Sequence, residues 1–204
     1  MWQQVYEEVR RPEFELISVA VDPSGPDAPR EYTQAAAVTF PTAVDSSGVG
    51  SSAFGFHVVP NGILVDETGI IRFRRDGGFS SANQEHRELV RRFARGESVA
   101  PSPALKKLPY ELSGVERELV RARMALGREL AAGGRRDAAL AAWTDALHLD
   151  PENKTIRKAI WAVRYPERFY PAIDDAWQDA QLARERADEV AAGICGPDGC
   201  PLPH

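Results

Sequence analysis

The two cysteines of this 204-residue chain stand five positions apart, in Cys195-Gly196-Pro197-Asp198-Gly199-Cys200. Pro at the second and Gly at the fourth position of the intervening Gly-Pro-Asp-Gly suit a type I turn, which brings the flanking Cα atoms within the roughly 4.4–6.8 Å that a disulfide spans. Three chemistries are open to the pair: a redox dithiol that resolves or reduces a second site, a metal clip completed by His204, or an inert tail. Placed after an Ala-rich helical stretch, such a tail has the reach to swing to a partner site. His57 stands just ahead of Val58-Val59-Pro60, where it either tunes a nearby thiol or is a partly exposed loop residue without catalytic duty. His86 and His148 fall on predicted helices as face residues. Asp174 and Asp175, like Asp188 and Glu189, are sequence neighbours that cannot share one helical face, which makes them poor acid–base pairs.

Composition narrows the setting for this chemistry. With 43% apolar and 27% charged residues, the chain can bury one ordinary core and a small second unit. No run approaches the roughly 20 apolar residues of a membrane span, and Met1-Trp2-Gln3-Gln4 has neither the basic nor the apolar part of an export signal. A net charge of −5 argues against an electrostatic grip on nucleic acid, and the basic runs Arg72/Arg74/Arg75 and Arg91/Arg92/Arg95 read as solvated faces. Two late cysteines cannot staple a core, so the main fold stands by burial.

Trp2, Val5, Tyr6 and Val9 repeat at helical spacing and predict an opening helix that ends before Pro12. Phe14 to Val21 is apolar and β-branched nearly throughout, as a parallel strand covered on both faces would be, and Asp22 to Pro26 turns the chain. A helix over Arg30 to Val38 and a strand over Thr39 to Val44 follow, closed by Ser46-Ser47-Gly48. A short helical turn around Ser52 to Phe54 leads to a hairpin of Ile63 to Asp66 and Ile70 to Phe73 about Glu67-Thr68-Gly69. Ser81 and Gln84 have capping-box spacing ahead of a helix that buries Leu89, Val90 and Phe93. The expected organisation is an α/β domain over 1–96, a linker over 97–114, an all-α region over 115–170, a C-terminal helix over 171–193 and a cysteine-containing tail over 194–204.

The runs Val19-Ala20-Val21-Asp22, Phe40-Pro41 and Phe54 through Ile71, the last containing Val59-Pro60-Asn61-Gly62 and Asp66-Glu67-Thr68-Gly69, resemble the thioredoxin-like redoxins of the TlpA and ResA type. The likeness covers about the first 95 residues. It implies a thioredoxin-like α/β fold and thiol–disulfide exchange, with Pro60 the cis-proline that faces the active-site cysteines. Val59 and Pro60 would then form the edge on which a protein or small-molecule thiol or disulfide substrate pairs. A strand-opening proline in an irregular loop is the plain alternative.

One departure from that family matters most. Its nucleophile sits in a Trp-Cys-x-x-Cys stretch where the first strand meets the first helix, and Met1-Trp2 begins inside that helix. The expectation is therefore an incomplete thioredoxin-like domain lacking its first strand, inactive as it stands and truncated at its N-terminus. Without that strand the opening helix is expected to have little to cover. One route to such a truncation is a selenocysteine codon read as a stop, since some redoxins of the ResA type carry selenocysteine in that motif. The compartment stays open, because a lost leader would take an export signal with it.

In the second region, Leu126, Gly127, Leu130, Gly134, Ala139, Trp143, Ala146 and Pro151 fall at the spacings of one tetratricopeptide repeat. This resemblance implies two antiparallel helices with Trp143 and Leu130 in the seam, followed by a third helix from Thr155 to Val163. A peptide partner in a helical groove would make the protein an adaptor, while plain docking of the helices on the first domain is the simpler expectation. No cofactor and no metal is assigned by these readings.

Overall fold

A computed structural model describes residues 2–21, 27, 29–45, 49–104, 107–196 and 199–200. The expected turns at Asp22–Pro26 and Ser46–Gly48, the centre of the Cys195–Cys200 turn and His204 lie outside the described residues. Among those described, eight α-helices and two small sheets follow one another, and no helix is long and apolar enough to cross a membrane.

Helix α1 (Trp2–Val9) buries Gln3, Val5 and Tyr6. Contrary to expectation, its apolar face is well used. Val5 joins Leu64, Phe73, Phe79 and Val90 in one core, Trp2 stacks on Phe79, and Tyr6 meets Phe40 edge-on. Gln3 fastens the helix further, its amide donating to Thr39 Oγ1 at 2.8 Å and accepting from Thr39 N at 2.8 Å. Each large side chain buried in this way stabilises the fold by about 1.5–3 kcal/mol.

Strand β1 (Ser18–Ala20) pairs in parallel with β2 (Thr42–Val44), Val19 opposite Ala43. The long, doubly covered strand expected over residues 14–21 is corrected here: only three residues form a ladder, with Ile17 63% and Val19 56% exposed. The reason is pairing on one side, because among the described residues β1 has β2 as its sole strand partner. Helix α2 (Arg30–Ala35) stops before the expected Val38, and α3 (Val49–Phe54) precedes β3. Strands β3 (Gly62–Val65) and β4 (Ile71–Arg75) form the antiparallel hairpin. Asp66 organises its turn by accepting from the backbone of Thr68 and Ile70 at 2.9 and 3.0 Å.

Helix α4 (Gln84–Ala94) is capped by Asn83, whose side chain accepts from Glu85 N and His86 N; the expected Ser81 cap is replaced. Its buried stripe is His86, Val90 and Ala94. His86 is thus a core residue and not a face residue, stacked on Phe79 at 4.7 Å and accepting from Ser80 N.

From Ser113, which forms a capping box with Glu116, α5 (Gly114–Ala132) runs into α6 (Arg136–Leu149), then α7 (Lys154–Arg164), a 3-10 turn at Pro166–Arg168 and α8 (Asp175–Ala191). A second core joins Trp143, Leu130, Ala139, Ala146, Ile156 and Trp161. Gly127 sets the separation of α5 from α6, since a Cβ there would lie 2.2 Å from Trp143 Nε1. Gly127→Ala therefore loses about 1–3 kcal/mol to overpacking, outweighing the roughly 1 kcal/mol that alanine gains inside a helix. Urea unfolding of this variant tests the contact, and a net stabilisation would show that the indole has room to move.

Candidate functional site

Cys195 and Cys200 are joined in a disulfide, their Cα atoms 4.0 Å apart. Chain direction reverses after α8 at Gly193, and Cys195 N donates to Glu189 O at 3.2 Å. Gly196 and Gly199 then bridge one another through paired backbone hydrogen bonds. Position 199 requires glycine on two counts: its φ is +124°, and a Cβ would sit 2.9 Å from Pro109 Cγ. The result differs from the swinging tail expected of a chain end. Cys195 is 7% and Cys200 1% exposed, and Cys200 N donates to Glu152 Oε1 at 3.3 Å.

A charged network surrounds the sulfurs. Glu189 Oε2 lies 3.5 Å from both, and the Arg186 guanidinium touches Cys200 Sγ while pairing with Glu152 and Glu189 at 2.8 Å each. Beneath it Arg157, 2% exposed, pairs with Glu185 at 2.8 Å and Glu189 at 2.7 Å and donates to Pro151 O at 3.0 Å. Trp161 Nε1 donates to Glu185 at 2.6 Å. A buried guanidinium is tolerated only when so paired, because an unpaired buried charge costs several kcal/mol. Glu189, set aside above for standing beside Asp188, points inward to the sulfurs with Arg157 and Arg186. The legible signal was Glu185/Arg186/Glu189 at i, i+1, i+4, which places both glutamates on one side of α8.

Val59 and Pro60 enter β3 through a cis peptide, the geometry the resemblance implies. Asn61 braces the loop, donating to Val58 O at 2.6 Å and accepting from Gly77 N at 2.7 Å. Val59 is half-buried and Pro60 exposed. His57 ties this loop to the helices: Nε2 faces Asp150 Oδ2 at 3.3 Å, Nδ1 faces Gly55 O at 3.0 Å, and its carbonyl accepts from Lys154 N at 2.8 Å. Asp150, 2% exposed, also accepts from Tyr110 Oη at 2.5 Å and Asn153 Nδ2 at 2.8 Å. Tyr110 Oη in turn accepts from Glu152 N at 2.9 Å. Residues 150–154 thus lie between the Val59–Pro60 loop, held through His57, and the disulfide, held through Glu152. Neither Asp150 nor Tyr110 stood out in the sequence, where Asp150-Pro151 reads as a helix stop.

The hydrogen bond to Asp150 raises the His57 pKa above its ordinary 6.5, outweighing the opposing effect of burial. Burial alone would raise the Asp150 carboxyl, but its bonds from His57 and Tyr110 hold it below the usual range. Burial and the Asp150 charge together push the Tyr110 phenol up, keeping it a neutral donor. Both imidazole nitrogens face oxygen atoms, so the ring ties the Val59–Pro60 loop to residues 150–154.

No protein-family model, no curated protein and no solved structure matches the chain.

A histidine whose folded pKa is raised adds stability that is complete below the ordinary value and fades as pH climbs through the folded one. His57→Gln should therefore destabilise the protein more at pH 5.5 than at pH 9, read as the difference in urea midpoint from the parent. Equal losses at the two pH values would show that the ring acts by packing alone.

Proposed function

We propose that this protein is a redoxin-type thiol–disulfide protein whose own sulfur chemistry resides in Cys195 and Cys200, joined to a helical region of the tetratricopeptide kind. The observation that carries the reading is the Cys195–Cys200 disulfide set against the Arg186 guanidinium. Support for the scaffold comes from the element order, the parallel β1–β2 pair, the β3–β4 hairpin and the cis Val59–Pro60 step ahead of it. In the exchange, an incoming thiolate attacks Sγ of Cys195, the less buried of the two residues, and forms a mixed disulfide as the Cys195–Cys200 bond breaks. The electron pair of that bond leaves on Cys200, where Arg186 meets the developing negative charge. A second thiolate then attacks the substrate sulfur of the mixed disulfide, releasing an oxidised substrate and, after two protons are taken up, the dithiol. The substrate edge that the resemblance assigns to Val59 and Pro60 lies across residues 150–154 from the pair, and the exchange does not use it. Residues 1–96 contain no cysteine, so any reduction of protein disulfides by the chain rests on this pair.

An adaptor role is the second reading, favoured by Val115, Leu119 and Leu126, which lie exposed along one stripe of α5.

Titration with a dithiol redox buffer should release two thiols per chain with a defined midpoint, and Cys200→Ser should trap a mixed disulfide on Cys195. Dithiothreitol-driven insulin reduction that survives Cys195→Ser/Cys200→Ser would overturn the assignment of thiol chemistry to this pair. A pair that resists reduction in the folded protein would leave the adaptor reading standing.

A further inference from the structure

We infer that the reduced form of the pair is a metal site, in which Cys195, Cys200 and Glu189 bind a thiophilic divalent cation of the zinc type. The inference rests on the reversible reduction proposed above and adds a ligand to it. Three donor atoms, two sulfurs and one carboxylate oxygen, lie within 4.8 Å of one another. In a tetrahedral zinc site with Zn–S near 2.3 Å and Zn–O near 2.0 Å, neighbouring sulfur and oxygen ligands are about 3.5 Å apart and two sulfurs about 3.8 Å apart. Glu189 Oε2 already stands 3.5 Å from each sulfur. Among the three ligand atoms only the two sulfurs must move apart, and cleavage of the bond between them allows that.

The surroundings suit a metal–thiolate centre. Arg157 donates to the other oxygen of Glu189, Oε1, at 2.7 Å, which orients the carboxylate and leaves Oε2 directed at the sulfurs. Arg186 donates to Oε2 as well, at 2.8 Å, but it also holds Glu152 at 2.8 Å and touches Cys200 Sγ. It can therefore give up Oε2 to a cation and remain as a hydrogen-bond donor to the thiolate. Two thiolates and a carboxylate around a dication leave one negative charge, and Arg186 balances it. Burial of both sulfurs shields the thiolates, while three protein ligands leave the fourth position to water.

A low-potential dithiol supplies two electrons and two protons to open the disulfide and is itself oxidised to a disulfide. The dication then displaces the two thiol protons to solvent. A substrate disulfide that accepts two electrons and two protons, and is itself reduced to two thiols, would restore the Cys195–Cys200 bond and expel the cation, so metal occupancy and the disulfide exclude one another.

The test uses the full chain, reduced anaerobically, with free thiols counted and the reductant removed before titration with cobalt(II) and then zinc(II). Expected are a thiolate-to-cobalt charge-transfer band at one cobalt per chain, its loss on adding zinc, and a zinc-dependent rise in Tm of the reduced but not the oxidised protein. Cys195→Ser should abolish the band, and Glu189→Gln, which keeps hydrogen-bonding capacity toward Arg157, should weaken cobalt binding about tenfold or more. Far-ultraviolet circular dichroism confirms that each variant is folded; if Glu189→Gln is not, the parent and Cys195→Ser titrations decide. Two free thiols without a cobalt band would overturn the metal site while leaving the redox reading intact. Unweakened binding in folded Glu189→Gln would overturn the role of the carboxylate. Absence of free thiols after reduction would overturn both proposals.

Discussion

Asp150 carries a negative charge at 2% exposure, and the arrangement of the molecule follows from what is needed to keep it there. A lone carboxylate so deeply buried would cost several kcal/mol. Its compensation comes from three separate stretches of chain: His57 ahead of β3, Tyr110 ahead of α5 and Asn153 at the cap of α7. The charge is satisfied only when all three are in place, so the α/β region and the helices are held together by a requirement and not by contact area alone. Tyr32, whose hydroxyl donates to Phe169 O, and Tyr170, which meets Glu31, add a second point of attachment.

The same segment reaches the disulfide from the other side. Pro151 O accepts from both Arg157 and Arg186, and Glu152 holds Arg186 and the backbone of Cys200. Buried ion pairs of this kind contribute little net stability compared with apolar packing, but removing one partner leaves the others stranded. Their effect is to define a single position for the Cys195–Cys200 pair. The pair of sulfurs that a free tail would carry into solvent is instead fixed against an arginine and a glutamate, which gives an otherwise plain cystine a chemical environment.

Much of the fold was legible locally. Helical spacing marked α1 and the α5–α6 pair, and the Asp66–Gly69 turn marked the hairpin, because each depends on residues close in sequence. Ser113 with Glu116 and Ser81 with Gln84 share the same spacing, but only the first pair stands at a helix start; at α4 the cap is Asn83, directly before the first turn. The strand at residues 18–20 is shorter and more exposed than the composition of residues 14–21 implies. Its β-branched composition fits burial on two faces, yet burial depends on neighbours the residue string does not specify, and Ile17 and Val19 remain exposed.

Of the candidate site, the residue string by itself determined the existence and spacing of Cys195 and Cys200, the turn residues between them, the Val59–Pro60 step and the order of helices and strands. These are properties of neighbours along the chain, decided by steric and hydrogen-bonding preferences within a few residues. Tertiary structure alone decided that His57 meets Asp150, that Glu189 and Arg186 face the sulfurs, and that His86 is core. Such pairings join positions nearly a hundred residues apart in the case of His57 and Asp150, and any of the many similar charges on these helices would satisfy local rules equally well. Selection among them comes from burial, which makes an unpaired charge costly only where water has been excluded.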